Sequence, residues 1–305
     1  MSYGTVYTGQ IESAARETVT VALEKEGYTG SASEMRLGAD PLSKEGGRGS
    51  SEDLAPTRPH VLTIGLHPSQ TDVVDDIYAG DAEWRARVTV DGALDFLGPI
   101  RKELREQAAD KFPTDALRLT ANCGLGLLDS IDFEASTDSP YTGRRPVIGW
   151  VLEILRKLDV PLDVAASSEW YTPSMSGDVC PLEQEYVGAS TFYDDGEPKS
   201  CLSALESLLG DRLAFITQVG GAWRISQRAQ YRADTFTEWT YPAGWTDGDA
   251  SPSASTYSAA TTADPAEYRN RYSGSTWAQR AAYPSVQVAY QHGAEIGRAS
   301  CRERV

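Results

Sequence analysis

Glu83 to Ile100 reads EWRARVTVDGALDFLGPI. Trp84, Ala86, Val88 and Val90 alternate with polar residues, which puts one apolar face on a strand of period two. Asp91-Gly92 follows, a pair that accepts the positive φ angles of a tight type I′ turn. Ala93 to Ile100 then returns as a second strand, with Leu94, Phe96 and Gly98 expected in register. This hairpin sets the fold class, and the other elements are read outward from it.

Towards the N-terminus, Tyr3 to Ile11 (YGTVYTGQI) and Thr18 to Leu23 (TVTVAL) predict strands, the second with Val19, Val21 and Leu23 on one face. His60 to Leu66 (HVLTIGL) and Asp115 to Thr120 (DALRLT) predict two more. Gly38 to Arg58, rich in Gly, Ser, Lys and Glu, is expected to be a mobile loop.

Towards the C-terminus helices enter. Gly124 to Ile131 predicts a short helix. Pro146 to Leu158 predicts a longer one, with Pro146 at the first helical position, where a missing N–H costs nothing. Val147, Ile148, Val151, Leu152, Ile154, Leu155 and Leu158 give it a wide apolar stripe. Pro161 ends it, and PLDVAA continues as a strand. Ser200 is placed to cap a third helix, with Leu202, Leu205, Leu208 and Leu209 inward. Leu213 to Arg228 predicts a second hairpin, turning at Gly220-Gly221. After Trp239 the patterning weakens. Gly248 to Pro265 is dominated by Ser, Ala, Thr and Asp and is expected to be a loop or linker. No internal repeat or heptad is visible.

The expected class is therefore α+β. A strand-rich domain covers residues 1–119 and a mixed helix and hairpin domain covers 120–235. A loop-rich segment, 236–294, follows.

The chain of 305 residues is long enough for more than one core, and 40% hydrophobic with 24% charged residues is an ordinary globular balance. Acidic residues outnumber basic ones by 44 to 28, for a net charge of -16. Such a surface repels phosphate backbones, so no nucleic-acid partner is expected. The N-terminus has no basic start followed by an apolar core, and no run approaches the roughly 18 apolar residues of a membrane helix. No secretory signal or membrane anchor is expected. Cys123, Cys180, Cys201 and Cys301 form no CxxC, and buried free thiols are expected.

The familiar catalytic motifs fail in turn. GLGLLD at Gly124 lacks the third glycine of a dinucleotide loop, and no Walker A, HExxH or GxSxG sequence occurs. His60, His67 and His292 are far apart, with His60 and His67 at opposite ends of one predicted strand. Three acidic pairs could in principle serve glycoside hydrolysis: Asp75-Asp76, Asp129 with Asp132, and Asp194-Asp195. Neighbouring Asp residues point apart in extended chain, and Asp194-Asp195-Gly196 reads better as a turn. Asp247-Gly248-Asp249 is a fragment of a calcium loop without the remaining oxygen ligands. Trp223, Tyr231, Trp239 and Tyr241 could form a sugar-binding platform, although such residues more often pack across strands. No catalytic, cofactor-binding or metal-ligating residue is assigned, no cofactor is expected, and the chain is not expected to be an enzyme.

The order of elements carries more than any motif. Phe96 to Ile100 ends a first strand-rich domain in the form F-x-G-x-I. Ala121 to Leu128 opens a helix, Ile148 to Leu158 forms the next, and Leu205 to Ile225 runs from a helix into a hairpin ending G-x-W-x-I. In this order the chain resembles the tail-tip or baseplate hub proteins of tailed phages and prophages, the tail-associated and late-control-D-like group. The resemblance covers about Tyr3 to Arg232. It departs at Asn122-Cys123, where the group has an acidic residue and Asn is expected to cap instead.

The resemblance implies a barrel-like N-terminal domain. It also implies a homo-oligomeric ring, a trimer, that joins the tail tube to the tip and frames the DNA exit channel. The implied partners are distal tail, tape-measure, tip and fibre proteins, in a virion tail assembled in the bacterial cytoplasm. Two alternatives stay open. One is the N-terminal part of a cell-wall hydrolase or peptidase whose catalytic domain lies elsewhere; the other is a carbohydrate-binding adhesin module. Glu295 to Val305 (EIGRASCRERV) back-translates without strain to a common short-read sequencing adapter. It is expected to be no part of the native protein and to mark a truncated reading frame.

Overall fold

The structure, a computed structural model, describes residues 2–13, 16–46, 55–79, 81–102, 117–136, 139–168, 170–227, 235–258, 286–292 and 295–301. It divides into two compact units, Met1–Ser273 and Gly274–Val305. In chain order the first half holds β1 (Tyr3–Glu12), β2 (Thr18–Glu26), β3 (Ser33–Glu34), β4 (Leu37–Gly46), β5 (Thr57–Arg58) and β6 (His60–Leu66). Then come α1 (Thr71–Tyr78), β7 (Trp84–Val90), β8 (Ala93–Pro99) and β9 (Leu117–Asn122). After a 3₁₀ turn over Leu125–Ser130 come β10 (Glu134–Ser136), β11 (Ser139–Pro140), β12 (Arg144–Pro146), α2 (Val147–Arg156), β13 (Val164–Ser167), α3 (Pro181–Gln184) and β14 (Tyr186–Gly188). A second 3₁₀ turn spans Ala189–Phe192, before β15 (Tyr193–Asp194), β16 (Glu197–Pro198), α4 (Cys201–Gly210), β17 (Ala214–Val219) and β18 (Ala222–Gln227). The last strands are β19 (Thr235–Tyr241), β20 (Ala254–Ser258), β21 (Val286–His292) and β22 (Glu295–Cys301).

The opening hairpin forms as its alternation requires. Trp84, Ala86, Val88 and Val90 are all buried, and Asp91 and Gly92 take φ angles of 48° and 83°. The Asp91 carboxylate accepts the Thr18 N–H at 2.8 Å, so the turn also fixes the start of β2. One detail departs from simple register. A bulge lies between Val88 and Thr89, which face Phe96 and Leu94, so Asp95 is the extra residue of β8.

Strands β3-β1-β2-β7-β8 make a five-stranded sheet, and β4-β6-β9 make a three-stranded one. They meet at an Ile100–Ala121 bridge. The expected barrel is realised as these two open sheets, with no closed hydrogen-bonded cylinder among the described residues. The loop expected over Gly38 to Arg58 is in part strand: β4 pairs with β6 from Leu37 opposite Leu66 to Gly46 opposite His60. Pairing supplies the order that polar composition concealed. Residues 47–54 of that stretch lie outside the described residues. Helix α1 was not anticipated. Val73, Val74 and Ile77 are its buried face.

The six-stranded sheet has the order β20-β19-β13-β18-β17-β5. Helix α4 packs against its strand β17, and helix α2 packs against α4. Helix α2 begins at Val147, one residue later than expected. Pro146 is extended, closes β12, and precedes the first turn rather than occupying it. Ser200 caps α4 as predicted, its hydroxyl accepting the Ser203 N–H at 3.2 Å. The stretch expected to be a loop after Gly248 contains β20, paired with β19 from Ala254 opposite Trp239 to Ser258 opposite Thr235. An aromatic cluster fills the space under α2: Phe133 lies 4.9 Å from Tyr141, 5.4 Å from Trp150 and 4.8 Å from Phe192. The second unit is an antiparallel pair, β21 with β22, with Val286 opposite Cys301.

Candidate functional site

Three of the four stretches whose order carries the resemblance, Phe96 to Ile100, Ala121 to Leu128 and Leu205 to Ile225, meet at one seam. Strand β8 presses on β9 so closely that a Cβ at Gly98 would lie 1.9 Å from the Asn122 carbonyl oxygen. Only glycine fits there. The Asn122 side chain does not cap a helix in the expected way. Its Oδ1 accepts the Gly124 N–H at 3.0 Å, turning the chain into the 3₁₀ segment.

The outer edge of β8 is sealed by one side chain. Gln218 on β17 is fully buried; its Nε2 donates to the Leu97 carbonyl at 2.7 Å and its Oε1 accepts the Leu97 N–H at 3.5 Å. The carboxamide thus imitates a neighbouring strand and leaves neither of its buried ends unpaired. At the tip of the β17–β18 hairpin, Gly221 has a φ of 72° and no room for a Cβ beside the Leu94 carbonyl. The bulge turns Asp95 inward, where its carboxylate meets Lys44 Nζ of β4 at 3.1 Å. These side chains are only 10% and 11% exposed, so the ion pair is largely shielded from water and removing either partner is costly.

His60 sits at the same junction. Its Nε2 lies 2.6 Å from the Thr217 hydroxyl, and its backbone N–H donates to Cys123 Sγ at 3.2 Å. Burial, and after it the nearby Lys44 charge, pushes the imidazole down to a pKa of about 4.

The candidates drawn from the sequence do not converge. Asp76 on α1 accepts from Tyr7 at 3.1 Å and pairs with Lys25 at 3.4 Å, which clamps the helix to the five-stranded sheet. Its neighbour Asp75 accepts the Ala79 N–H through its main-chain carbonyl at the helix end. Asp129 accepts from the Ser200 hydroxyl at 3.4 Å, and Asp132 bridges Ser200 through its backbone. Asp195-Gly196 is the turn of the β15–β16 hairpin, with φ angles of 52° and 93°. Asp249 accepts the Thr246 N–H at 2.7 Å in a tight turn, and Asp247 lies 3.9 Å from Arg145 over Gly149.

Among the described residues no three His, Cys, Asp or Glu side chains are grouped to hold a metal. Trp223, Trp239 and Tyr241 are buried, so they offer no sugar platform; Tyr231 lies outside the described residues. Among the described residues the exposed aromatics are Trp170, Tyr171 and Tyr186. His67 is held by Ser69 at 2.8 Å, far along β6 from His60, and the side chain of His292 lies outside the described residues. Cys123, Cys180 and Cys201 are buried free thiols, and burial raises the pKa of each, Cys180 and Cys201 to about 11. None is a thiolate at neutral pH, and nucleophilic chemistry at sulfur needs the thiolate.

Clefts of about 260 Å³, 280 Å³ and 300 Å³ open among the described residues. In the first, Arg145 and Arg156 both reach Glu153, at 3.1 Å and 2.7 Å, so its charges are paired within the wall. No described helix is long and apolar enough to cross a membrane.

Fold and seam together define a strand-rich α+β protein whose polar residues at the joint bind its own sheets to one another. No family model matches the chain, and no curated protein matches it. Among solved structures it is similar to the prophage MuSo2 43 kDa tail protein from Shewanella oneidensis, at 10% identity and a TM-score of 0.34. That match covers 68% of this chain, which spans 55% of the tail protein's length.

Proposed function

We propose that this chain is a non-catalytic structural subunit of a phage or prophage tail, and within the tail a component of the tip or baseplate hub. As a hub subunit it forms a ring, a trimer, that joins the tail tube to the tip and frames the DNA exit channel. Its partners are further copies of itself and the adjoining tail proteins. The observation that supports this reading is the meeting of three of the four ordered motif stretches. Phe96 to Ile100 meets Ala121 to Leu128 through Gly98 and Asn122, and meets the hairpin of Leu205 to Ile225 through Gln218. Residues that look like scattered coincidences in sequence thus serve one joint. The net charge of -16 suits a channel wall that must release DNA, because like charge prevents adhesion.

Mass photometry and negative-stain electron microscopy of the purified chain test this directly. A closed ring of identical subunits is the expected result. A monomer at every concentration, with no ring on the grid and no binding to a distal tail protein, overturns it.

A further inference from the structure

We propose that His60 is an acid-released pin at the corner where the chain passes from the six-stranded sheet into the three-stranded one. Strand β5 ends at Arg58 and β6 begins at His60, with only Pro59 between them. Thr217 of β17 spans this corner. Its hydroxyl donates to the Arg58 carbonyl at 3.2 Å. A hydroxyl has one proton to give, so in its 2.6 Å contact with His60 Nε2 it accepts. This is the arrangement that gives every proton at the corner an acceptor: Nε2 carries the proton and Nδ1 is bare. Nδ1 is sealed from solvent and has no hydrogen-bond partner.

The surroundings offer a second proton no acceptor. Lys44 faces the ring from β4, and Asp95 from β8 is already engaged by Lys44 at 3.1 Å. Cys123, just after β9, receives the His60 backbone N–H, and its thiol is neutral. From β5, Arg58 turns its guanidinium over the Phe215 ring at 3.9 Å. On α4, Glu206 accepts the Thr57 hydroxyl at 2.7 Å. Protonation at Nδ1 therefore adds a cation beside Lys44 in a closed corner, and opening the corner lets the imidazolium reach water.

The direction of the pH effect follows. Burial first, then Lys44, lowers the ring's pKa from 6.5 to about 4, with Asp95 opposing. A depressed histidine pKa stabilises the closed corner fully above pH 6.5, and that contribution is lost as pH falls through 4. The open population at pH 4 rises roughly a hundredfold over its value at pH 7.

Nuclear magnetic resonance on the full chain tests the pin. The His60 ring, identified by its absence from the His60→Gln spectrum, is expected to titrate near pH 4. Hydrogen exchange, corrected for intrinsic rates, reads the opening. Two amides report on the corner: Ile216, bonded to the Pro56 carbonyl at 2.8 Å, and Cys123, bonded to the His60 carbonyl at 3.0 Å. Both are expected to lose roughly a hundredfold in protection between pH 7 and 4, while Val21 and Leu23 of β2 do not follow. In His60→Gln, which keeps a donor towards Thr217 but cannot titrate, the loss is absent. Wild-type titration near 6.5, the same loss in His60→Gln, or a uniform loss that includes β2 each overturns the proposal. If the variant does not fold, the wild-type titration and the pattern of exchange still decide.

Discussion

Gly98→Ala tests the seam at its tightest point. The added Cβ would lie 1.9 Å from the Asn122 carbonyl oxygen and 2.8 Å from its carbon, against an ordinary contact of 3.4–4 Å. Both obstacles are backbone, so no rotamer change relieves them; β8 and β9 must part by more than an ångström. Overpacking of this kind costs about 1–3 kcal/mol. The displacement also loosens the Ile100–Ala121 bridge and the Arg101 N–H to Thr120 carbonyl bond, 2.8 Å long. At about 1 kcal/mol for each hydrogen bond, the total comes to about 3–5 kcal/mol. That is a large share of the roughly 5–15 kcal/mol that keeps a domain folded. Urea denaturation followed by tryptophan fluorescence measures it as a lowered midpoint. Gly126→Ala is the control, since nothing lies within 4 Å of its Cβ position. A midpoint for Gly98→Ala that coincides with that of the control refutes the reasoning, because the two strands would then not be in contact.

Three further outcomes are expected. Gln218→Leu keeps the volume but leaves both Leu97 backbone groups unpaired, so urea denaturation should show a loss of about 2–4 kcal/mol. Lys44→Met removes the ion-pair partner of the largely buried Asp95 carboxylate, at about 3–5 kcal/mol, and the double variant with Asp95→Leu should recover most of this in a thermodynamic cycle. Cys201 should make the protein weaken in alkali. Its thiol is raised from 9.0 to about 11 by burial, so its contribution is complete below pH 9 and is lost as pH rises through 11. Cys201→Ala should make the fall over that interval shallower, leaving the part due to Cys180, read from urea midpoints at successive pH values.

Much of the fold was legible because short-range chemistry decided it. The Asp91-Gly92 turn, the Ser200 cap and the Gly220-Gly221 hairpin each depend on residues a few positions apart. Strands β4 and β20 were not legible, since their sequences resemble loops and only the pairing partners, β6 and β19, order them. Pro146 was placed one position too far into α2 because a proline fits either side of a helix start; the choice is made by β12, which pairs with β14. The seam was the least legible part. Gln218 is a long polar side chain in the mostly apolar AFITQV, a signal that something must receive it, but Leu97 is 121 positions away. His60 belongs to the same seam, and its bare Nδ1 depends on a hydroxyl proton that no sequence reports. The buried Trp223, Trp239 and Tyr241 show the converse, because aromatic spacing alone does not say which face meets water.

Strand β5 imposes an order on synthesis. Its two residues leave the ribosome early, but the strand they pair with contains Thr217, which lies 159 positions beyond Arg58. At about 5–20 residues per second, roughly 10–30 s pass before that partner exists. Once β8 has emerged it too lacks Gln218, 121 positions beyond Leu97, so the nascent chain presents an uncovered strand edge next to apolar surface. The N-terminal sheets must therefore wait, or be shielded by a chaperone, until the C-terminal hairpin arrives. A ribosome stalled before residue 214 should hold a protease-sensitive chain, and one stalled well past residue 227 a resistant one.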